Sequence, residues 1–142
     1  MIHYILFRTQ SHATEDVSRV RQALANVLPP DTPIEEEETK GYFDNPITVL
    51  TARLEKKAAE GYVKFLKSRL FQADLKELVK ELPERVTDDC DFYLKLSKQD
   101  AYLGDVRLTY AEDAIAIRAK VAAYPSRREA ALKVLEGCFN DP

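Results

Sequence analysis

Basic side chains alternate with apolar ones along two predicted strands in the second half of the chain. Apolar residues take every second position from 115 to 121, so Arg118 and Lys120 point to the opposite face of that strand. The same alternation in an earlier segment places Tyr93 and Lys95 opposite the apolar residues. A sheet face that carries such cations beside an aromatic ring suits phosphate contacts and stacking on bases.

Two other interpretations of this face stay open. Outward positions of a one-sided sheet are normally polar, so the same cations can be solvated or paired with glutamates across strands. A second subunit can also cover the face and bury Tyr93, with Arg53 of another strand on the same side. The pattern therefore indicates either a nucleic-acid-binding surface or a protein-interaction and homodimerisation surface.

Catalytic groups are scarce in this sequence. It has two histidines and four glycines, and it contains no GxSxG, phosphate-loop, HExxH or Rossmann motif. Four glutamates stand at positions 35–38, but a strand sends neighbouring side chains to opposite faces, and no further metal ligands accompany them. We therefore predict a protein that is not an enzyme and that has no cofactor and no metal site.

Two short sets of polar residues lie where helices are predicted to begin. His12 precedes the first helix, close to Thr14, which is the predicted N-cap. At this place His12 can attract an anion, or it can cap the helix and pack the loop. Arg127 and Arg128 fall in the first turn of the last helix, where positive charge opposes the helix dipole. A bound anion or an acidic neighbour would compensate for that charge.

The charge distribution separates two parts of the chain. Residues 31–91 carry fifteen acidic and ten basic side chains, whereas residues 92–133 carry five and eight. The net charge of −3 disfavours autonomous nucleic-acid binding, because phosphate contacts require lysine and arginine.

The 142 residues, 45% of them hydrophobic, predict one cytoplasmic domain over 1–142 with no membrane-spanning run.

Hydrophobic periodicity predicts an α+β fold with the order β-α-β-β-α-α-β-β-β-α. An antiparallel sheet with its helices on one face makes this a two-layer sandwich. The last two strands are expected to form a hairpin. The predicted strands cover residues 3–9, 32–40, 47–55, 92–97, 106–110 and 115–121.

Four strings of the sequence stand in the order known from one protein family. They occupy residues 12–16 (HATED), 41–42 with 45–47 (GY, NPI), 98–99 with 101–104 (KQ, AYLG) and 121–125 (VAAYP). Together they resemble the archaeal RNA-binding-domain family described as predicted exosome subunits, and the resemblance runs over nearly the whole chain.

The resemblance implies a fold similar to double-stranded-RNA-binding and ribosomal RNA-binding domains. It also implies a non-catalytic role near RNA processing, with RNA and RNA-processing proteins as partners. In the matched strings it assigns a phosphate contact to Lys98, a stacking or packing surface to Tyr102, and loop or turn roles to His12, Thr14 and Asn45. The predicted RNA contacts are Lys95, Lys98, Tyr102, Arg118, Lys120, Arg127 and Arg128.

Overall fold

The structure is a computed structural model that describes residues 1–140. In these residues five strands form one antiparallel sheet in the order β2-β3-β1-β5-β4, which confirms the predicted α+β class. The strands are β1 (Ile2–Ser11), β2 (Glu35–Lys40), β3 (Pro46–Glu55), β4 (Asp91–Leu96) and β5 (Ile115–Val121). The helices are α1 (Val17–Asn26), α2 (Lys56–Arg69), α3 (Gln72–Lys80), α4 (Leu82–Arg85), α5 (Lys98–Tyr102) and α6 (Arg128–Asn140).

Strand β1 lies at the centre of the sheet, between β3 and β5. One of its faces is buried under α1 and α2, with Phe7 only 1% exposed. On the other face Tyr4 and Leu6 are half-buried. A strand with bulky side chains on both faces needs a neighbour on each edge to cover its backbone, so the central position follows from the sequence pattern.

Helix α2 packs on β1 and β3 through one buried stripe. Ala59, Tyr62 and Leu66 recur at helical spacing and face the sheet. Tyr62 stacks edge-on against Phe7, and its hydroxyl donates to the carbonyl of Val27 at 2.7 Å. Burial raises the pKa of Tyr62, and the hydrogen bond satisfies the buried hydroxyl.

The predicted strand over residues 106–110, and its hairpin with β5, are wrong. This segment lies along the outer edge of β4: the amide of Thr109 donates to the carbonyl of Lys95 at 3.0 Å, and the amide of Ser97 donates to the carbonyl of Arg107 at 2.8 Å. Arg107 is held by Asp74 of α3 at 2.8 Å. Strand β5 pairs with β1 and β4 instead. Alternation reveals which side chains are buried, but it does not identify the partner strand.

The start of α1 also differs from the prediction. Asp16, not Thr14, is the N-cap: its carboxylate accepts from the amide of Ser18 at 2.9 Å, and hydrogen bonds from Ser18 lower the pKa of Asp16. Thr14 lies two residues earlier and is exposed.

Asn45 follows the 3₁₀ turn (Tyr42–Asp44) between β2 and β3, where its carbonyl accepts from the amide of Gly41 at 2.8 Å.

None of the described helices combines the length and the apolar character that crossing a bilayer requires.

Candidate nucleic-acid interface

The helices pack on one face of the sheet. The side chains that alternate to the other face are not covered by a helix, and we call that face the open face. On β1 the side chain of Phe7 is buried beneath the helices, whereas Arg8 is exposed on the open face. The strand register places Leu6 directly opposite Arg118 of β5. Arg118 in turn lies opposite Tyr93 of β4, which is 43% exposed. One row across the open face therefore sets a guanidinium between an aliphatic and an aromatic side chain.

The next row of the open face brings two more cations beside Arg118. Arg8 of β1 and Lys95 of β4 both lie opposite Ala116 of β5. Diagonal neighbours in an antiparallel sheet are about 7–8 Å apart, so Arg8 and Lys95 are both neighbours of Arg118. Ala116 between them is exposed and small, which leaves the floor of the cluster open. We call Arg8, Lys95 and Arg118 the open-face triad.

The side chains of the open-face triad have no ion pair or hydrogen bond with any other residue among the described 1–140. Neighbouring like charges on a sheet destabilise the fold when no carboxylate lies between them. The triad thus concentrates positive charge that the chain itself does not neutralise. An anion with several negative groups, such as a phosphate backbone, matches this arrangement.

Lys120 also lies on the open face, but it is engaged within the protein. Its Nζ lies 3.0 Å from Oδ1 of Asp91, a carboxylate that is 7% exposed, and it donates to the carbonyl of Asp89 at 2.8 Å. The hydrogen bond to Asp91 raises the pKa of Lys120. Lys120 therefore neutralises a buried carboxylate and is placed beside the triad rather than in it.

The opposite margin of the open face is mixed in charge. Arg53 of β3 lies over the ring of Tyr4, with 4.4 Å from its Cζ to the ring centroid, and pairs with Glu55. On the edge strand β2, Glu35 and Glu37 share the open face and are exposed. The face is therefore positive over β1, β5 and β4 and negative at β2, which favours a polyanion on the β4 side.

Lys98 lies apart from the open face, in a network at the end of the sheet. Its Nζ donates to the carbonyl of Gln10 at 2.8 Å, to Glu15 at 3.0 Å and to Asp113 at 2.8 Å, and its side chain is 10% exposed. An ammonium has three donors, and all three are occupied. In this structure the ammonium of Lys98 is thus bound by acceptors of the chain itself, and the phosphate contact that the resemblance assigns to Lys98 stays a prediction.

Three groups in this network have the composition of a metal site. His12, Glu15 and Asp113 present ligand atoms within 4.8 Å of one another. The ammonium of Lys98, however, already lies at hydrogen-bonding distance from both carboxylates and supplies the positive charge that a cation would bring. Burial opposes ionisation of Asp113, but the hydrogen bond and charge of Lys98, with those of His12, outweigh it and lower the pKa of Asp113. These residues do not fit a metal ion.

Tyr102 and the two arginines near α6 lie away from the triad. Tyr102 lines a cleft of about 440 Å³ between α1 and α5, with the guanidinium of Arg19 5.8 Å from its ring centroid. Arg128 donates to the carbonyls of Val86 and Pro83 at the end of α4. The neighbour that compensates its charge is thus a pair of carbonyls. Arg127 precedes α6 and is exposed.

Arg8 is the triad member that the sequence analysis missed. It lies two residues after Leu6 in β1, so the alternation that separates Phe7 from Leu6 also places Arg8 on the open face. The signal was present, but bulky residues on both sides of β1 concealed which face was buried.

A family model described as RNA binding matches residues 4–121. The chain belongs to this RNA-binding family. The matched span runs from the start of β1 to the end of β5, so it contains all three residues of the triad and the Lys98 network.

Archaeal proteins resemble this member of the RNA-binding family over almost its full length. RNA-binding protein PAB1135 of Pyrococcus abyssi (strain GE5 / Orsay) is 37% identical over 139 residues, which is 94% of this chain and 90% of that protein. Two solved DUF54 structures share the fold. Protein AF2318 from Archaeglobus fulgidus has a TM-score of 0.88 and 28% identity and covers 97% of this chain and 99% of its own. Mth689 from Methanothermobacter thermautotrophicus has a TM-score of 0.82 and 34% identity over 98% of both chains.

Proposed function

We propose that this chain is a non-catalytic RNA-binding protein that contacts RNA through the open face of its sheet. The observation that carries the proposal is the open-face triad, three cations on adjacent strands with no partner among the described residues. Membership of the RNA-binding family supports RNA as the polyanion. The net charge of −3 is not an obstacle, because Glu55 and Asp91 on the open face are paired with Arg53 and Lys120, and the exposed Glu35 and Glu37 lie on β2, two strands from the nearest triad residue.

The side chains around the triad favour single-stranded RNA. Arg118 is flanked by Leu6 and Tyr93, so a phosphate on the guanidinium brings the neighbouring bases against an apolar and an aromatic surface. Bases of a single strand are free to stack on such a surface, whereas bases of a duplex are not. Arg8 and Lys95 on either side of Ala116 extend the phosphate contacts along the strand.

A pair of charge-reversal variants tests this proposal by fluorescence anisotropy with a labelled single-stranded RNA. We expect Lys95→Glu/Arg118→Glu to weaken binding at least about tenfold, since each lost phosphate contact costs on the order of 1 kcal/mol. The matched control is Lys76→Glu/Lys133→Glu, which makes the same charge change at exposed positions of α3 and α6. Equal affinities of the two double variants would overturn the assignment of the open face.

We also propose that the protein is an accessory subunit in RNA processing that acts with the exosome. The four strings that resemble the family described as predicted exosome subunits support this step. Gel filtration of the protein with a purified archaeal exosome core, with and without RNA, tests it. Co-elution is expected, and separate elution under both conditions would contradict it.

A second candidate function is homodimerisation through the sheet edge. All six residues of β2 are exposed, and its outer backbone edge has no neighbouring strand in the sheet. Four consecutive glutamates oppose the pairing of two such edges, which favours RNA binding over dimerisation. Sedimentation equilibrium decides the point: the dimer proposal requires twice the 16.2 kDa mass of the chain.

A further inference from the structure

Helix α2 carries a cationic stripe on the side that faces away from the sheet. Its inward side is buried on β1 and β3, as described for Tyr62. Positions four, three and four residues apart turn to the opposite side. They are Lys57, Gly61, Lys64 and Ser68, and all four are exposed. We call these four residues the α2 stripe.

The charge of α2 is unlike that of the rest of the chain. The helix has five basic residues and one acidic residue, in a protein of net charge −3. Lys56 and Lys57 stand in its first turn, where the helix dipole is already positive and where no carboxylate is present. Neither Lys57 nor Lys64 has a side-chain partner among the described residues. The chain therefore shows no ion pair for Lys57 or Lys64, and the positive charge of Lys57 in the first turn has a cost in helix stability.

Gly61, in the middle of the stripe, is not explained by packing within the chain. It lies in the middle of the helix, where glycine is less favourable than alanine. A Cβ atom at this position would have no heavy atom within 4 Å, so internal packing does not require glycine. Without a side chain, Gly61 leaves the helix backbone open between the two lysines, which are about 10.5 Å apart along the axis.

The α2 stripe and the open-face triad lie on opposite sides of the sheet. Helix α2 covers the face that holds Phe7, whereas Arg8 and Arg118 belong to the uncovered face. A short RNA that binds one surface leaves the other free. We propose that the α2 stripe binds the phosphate backbone of a second RNA segment, so that one protein molecule bridges two segments.

This inference rests on the proposed RNA-binding function and extends it. The α2 stripe has no aromatic side chain, so its contacts are to phosphates and carry no base preference. The triad, together with Tyr93, binds one RNA strand. The α2 stripe binds another RNA segment through its positive charge and through the close approach of the phosphates to the helix at Gly61. A protein of this kind brings RNA segments together without acting on them chemically.

Energy transfer between two short single-stranded RNAs, one with a donor dye and one with an acceptor, tests the bridging. We expect the wild-type protein to bring the dyes together in a complex of one protein and two RNAs, with the stoichiometry measured by sedimentation velocity. Lys57→Glu/Lys64→Glu should lose at least nine-tenths of the transfer and bind one RNA. That variant adds a carboxylate to the first helical turn, which favours folding. Lys76→Glu/Lys133→Glu is the charge-matched control and should retain the transfer.

A neutral variant separates close approach from charge. Gly61→Gln fills the gap between the lysines and should reduce transfer at least fivefold while it raises the melting temperature. Full transfer in Lys57→Glu/Lys64→Glu, or saturation of the wild type at one RNA, would overturn the inference. Failure of the proposed open-face site has a different signature, namely unchanged single-RNA affinity in Lys95→Glu/Arg118→Glu.

Discussion

The ammonium nitrogen of Lys98 lies 2.8 Å from Oδ1 of Asp113, which joins the first residue of α5 to the turn before β5. The same nitrogen reaches the carbonyl of Gln10 and the carboxylate of Glu15, so it ties the end of β1 to the start of α1. Strands β1 and β5 carry two of the three triad residues. Lys98 therefore supports two strands of the open-face triad from outside the open face.

Replacement of Lys98 tests this structural role. Lys98→Met keeps the length of the side chain but leaves two carboxylates and a carbonyl without their donor. We expect the free energy of unfolding to fall by about 2 kcal/mol, less than the 3–5 kcal/mol of a fully buried pair, because Asp113 is half-exposed. Urea denaturation measures the loss. Unchanged stability together with weaker RNA binding would show that Lys98 belongs to the RNA interface after all.

Acid sensitivity of the fold should depend on Asp113. Its pKa is lowered in the folded protein, with Lys98 and His12 outweighing the effect of burial, so folding favours the ionised form. The resulting stabilisation is complete above the ordinary pKa of 3.8 and is lost as the pH falls through the lowered value. Urea denaturation between about pH 2 and 6 should therefore show a steeper acid loss in the wild type than in Asp113→Asn. Parallel curves would contradict this.

Two neighbouring arginines should respond differently to truncation. Arg128 donates to the carbonyl of Pro83 in α4 and to the carbonyl of Val86 directly after α4, whereas Arg127 is exposed. We expect Arg128→Ala to lower the free energy of unfolding by about 1–2 kcal/mol and Arg127→Ala to change it by less than about 0.5 kcal/mol. Thermal unfolding of the two variants side by side is the measurement. Equal losses would mean that the contact of Arg128 with α4 contributes nothing to stability.

Gly61→Ala should stabilise the protein. The position is exposed in the middle of α2, and an added Cβ has no heavy atom within 4 Å. Alanine is favoured over glycine in a helix by about 0.5–1 kcal/mol, so the free energy of unfolding should rise by that amount. Chemical denaturation measures it. A loss of stability would show that the glycine serves the fold and would remove one support for the α2 stripe.

Much of the fold was predictable because the hydrophobic periodicity of a long segment distinguishes a strand from a helix. The alternation over residues 115–121 coincides with β5, and bulky side chains on both faces of the first strand are typical of the central place that it takes. Helix α5 was not predicted, since five residues are too few to show helical periodicity and only the cap at Ser97 marks it. The pairing of β1 with β5 is equally hidden, because it joins segments more than a hundred residues apart.

The candidate interface was predictable in part. Lys95 and Arg118 were expected on one face from alternation, and the register now places them as diagonal neighbours. The internal contacts of Lys98 and Lys120 depend on carboxylates from other elements, which local sequence does not reveal. The charge count over residues 31–91 combined the lysines of α2 with the glutamates of β2, so the count did not show that α2 is basic.

The salt dependence of RNA affinity tests the central claim most directly. If the three triad side chains each contact a phosphate of a short single strand, the logarithm of the affinity should fall with the logarithm of salt concentration with a slope of about −2. Each of Arg8→Gln, Lys95→Gln and Arg118→Gln should reduce the magnitude of that slope by about 0.7, while Lys76→Gln leaves it unchanged. A slope that is the same in all four variants and the wild type would contradict RNA binding by the open face.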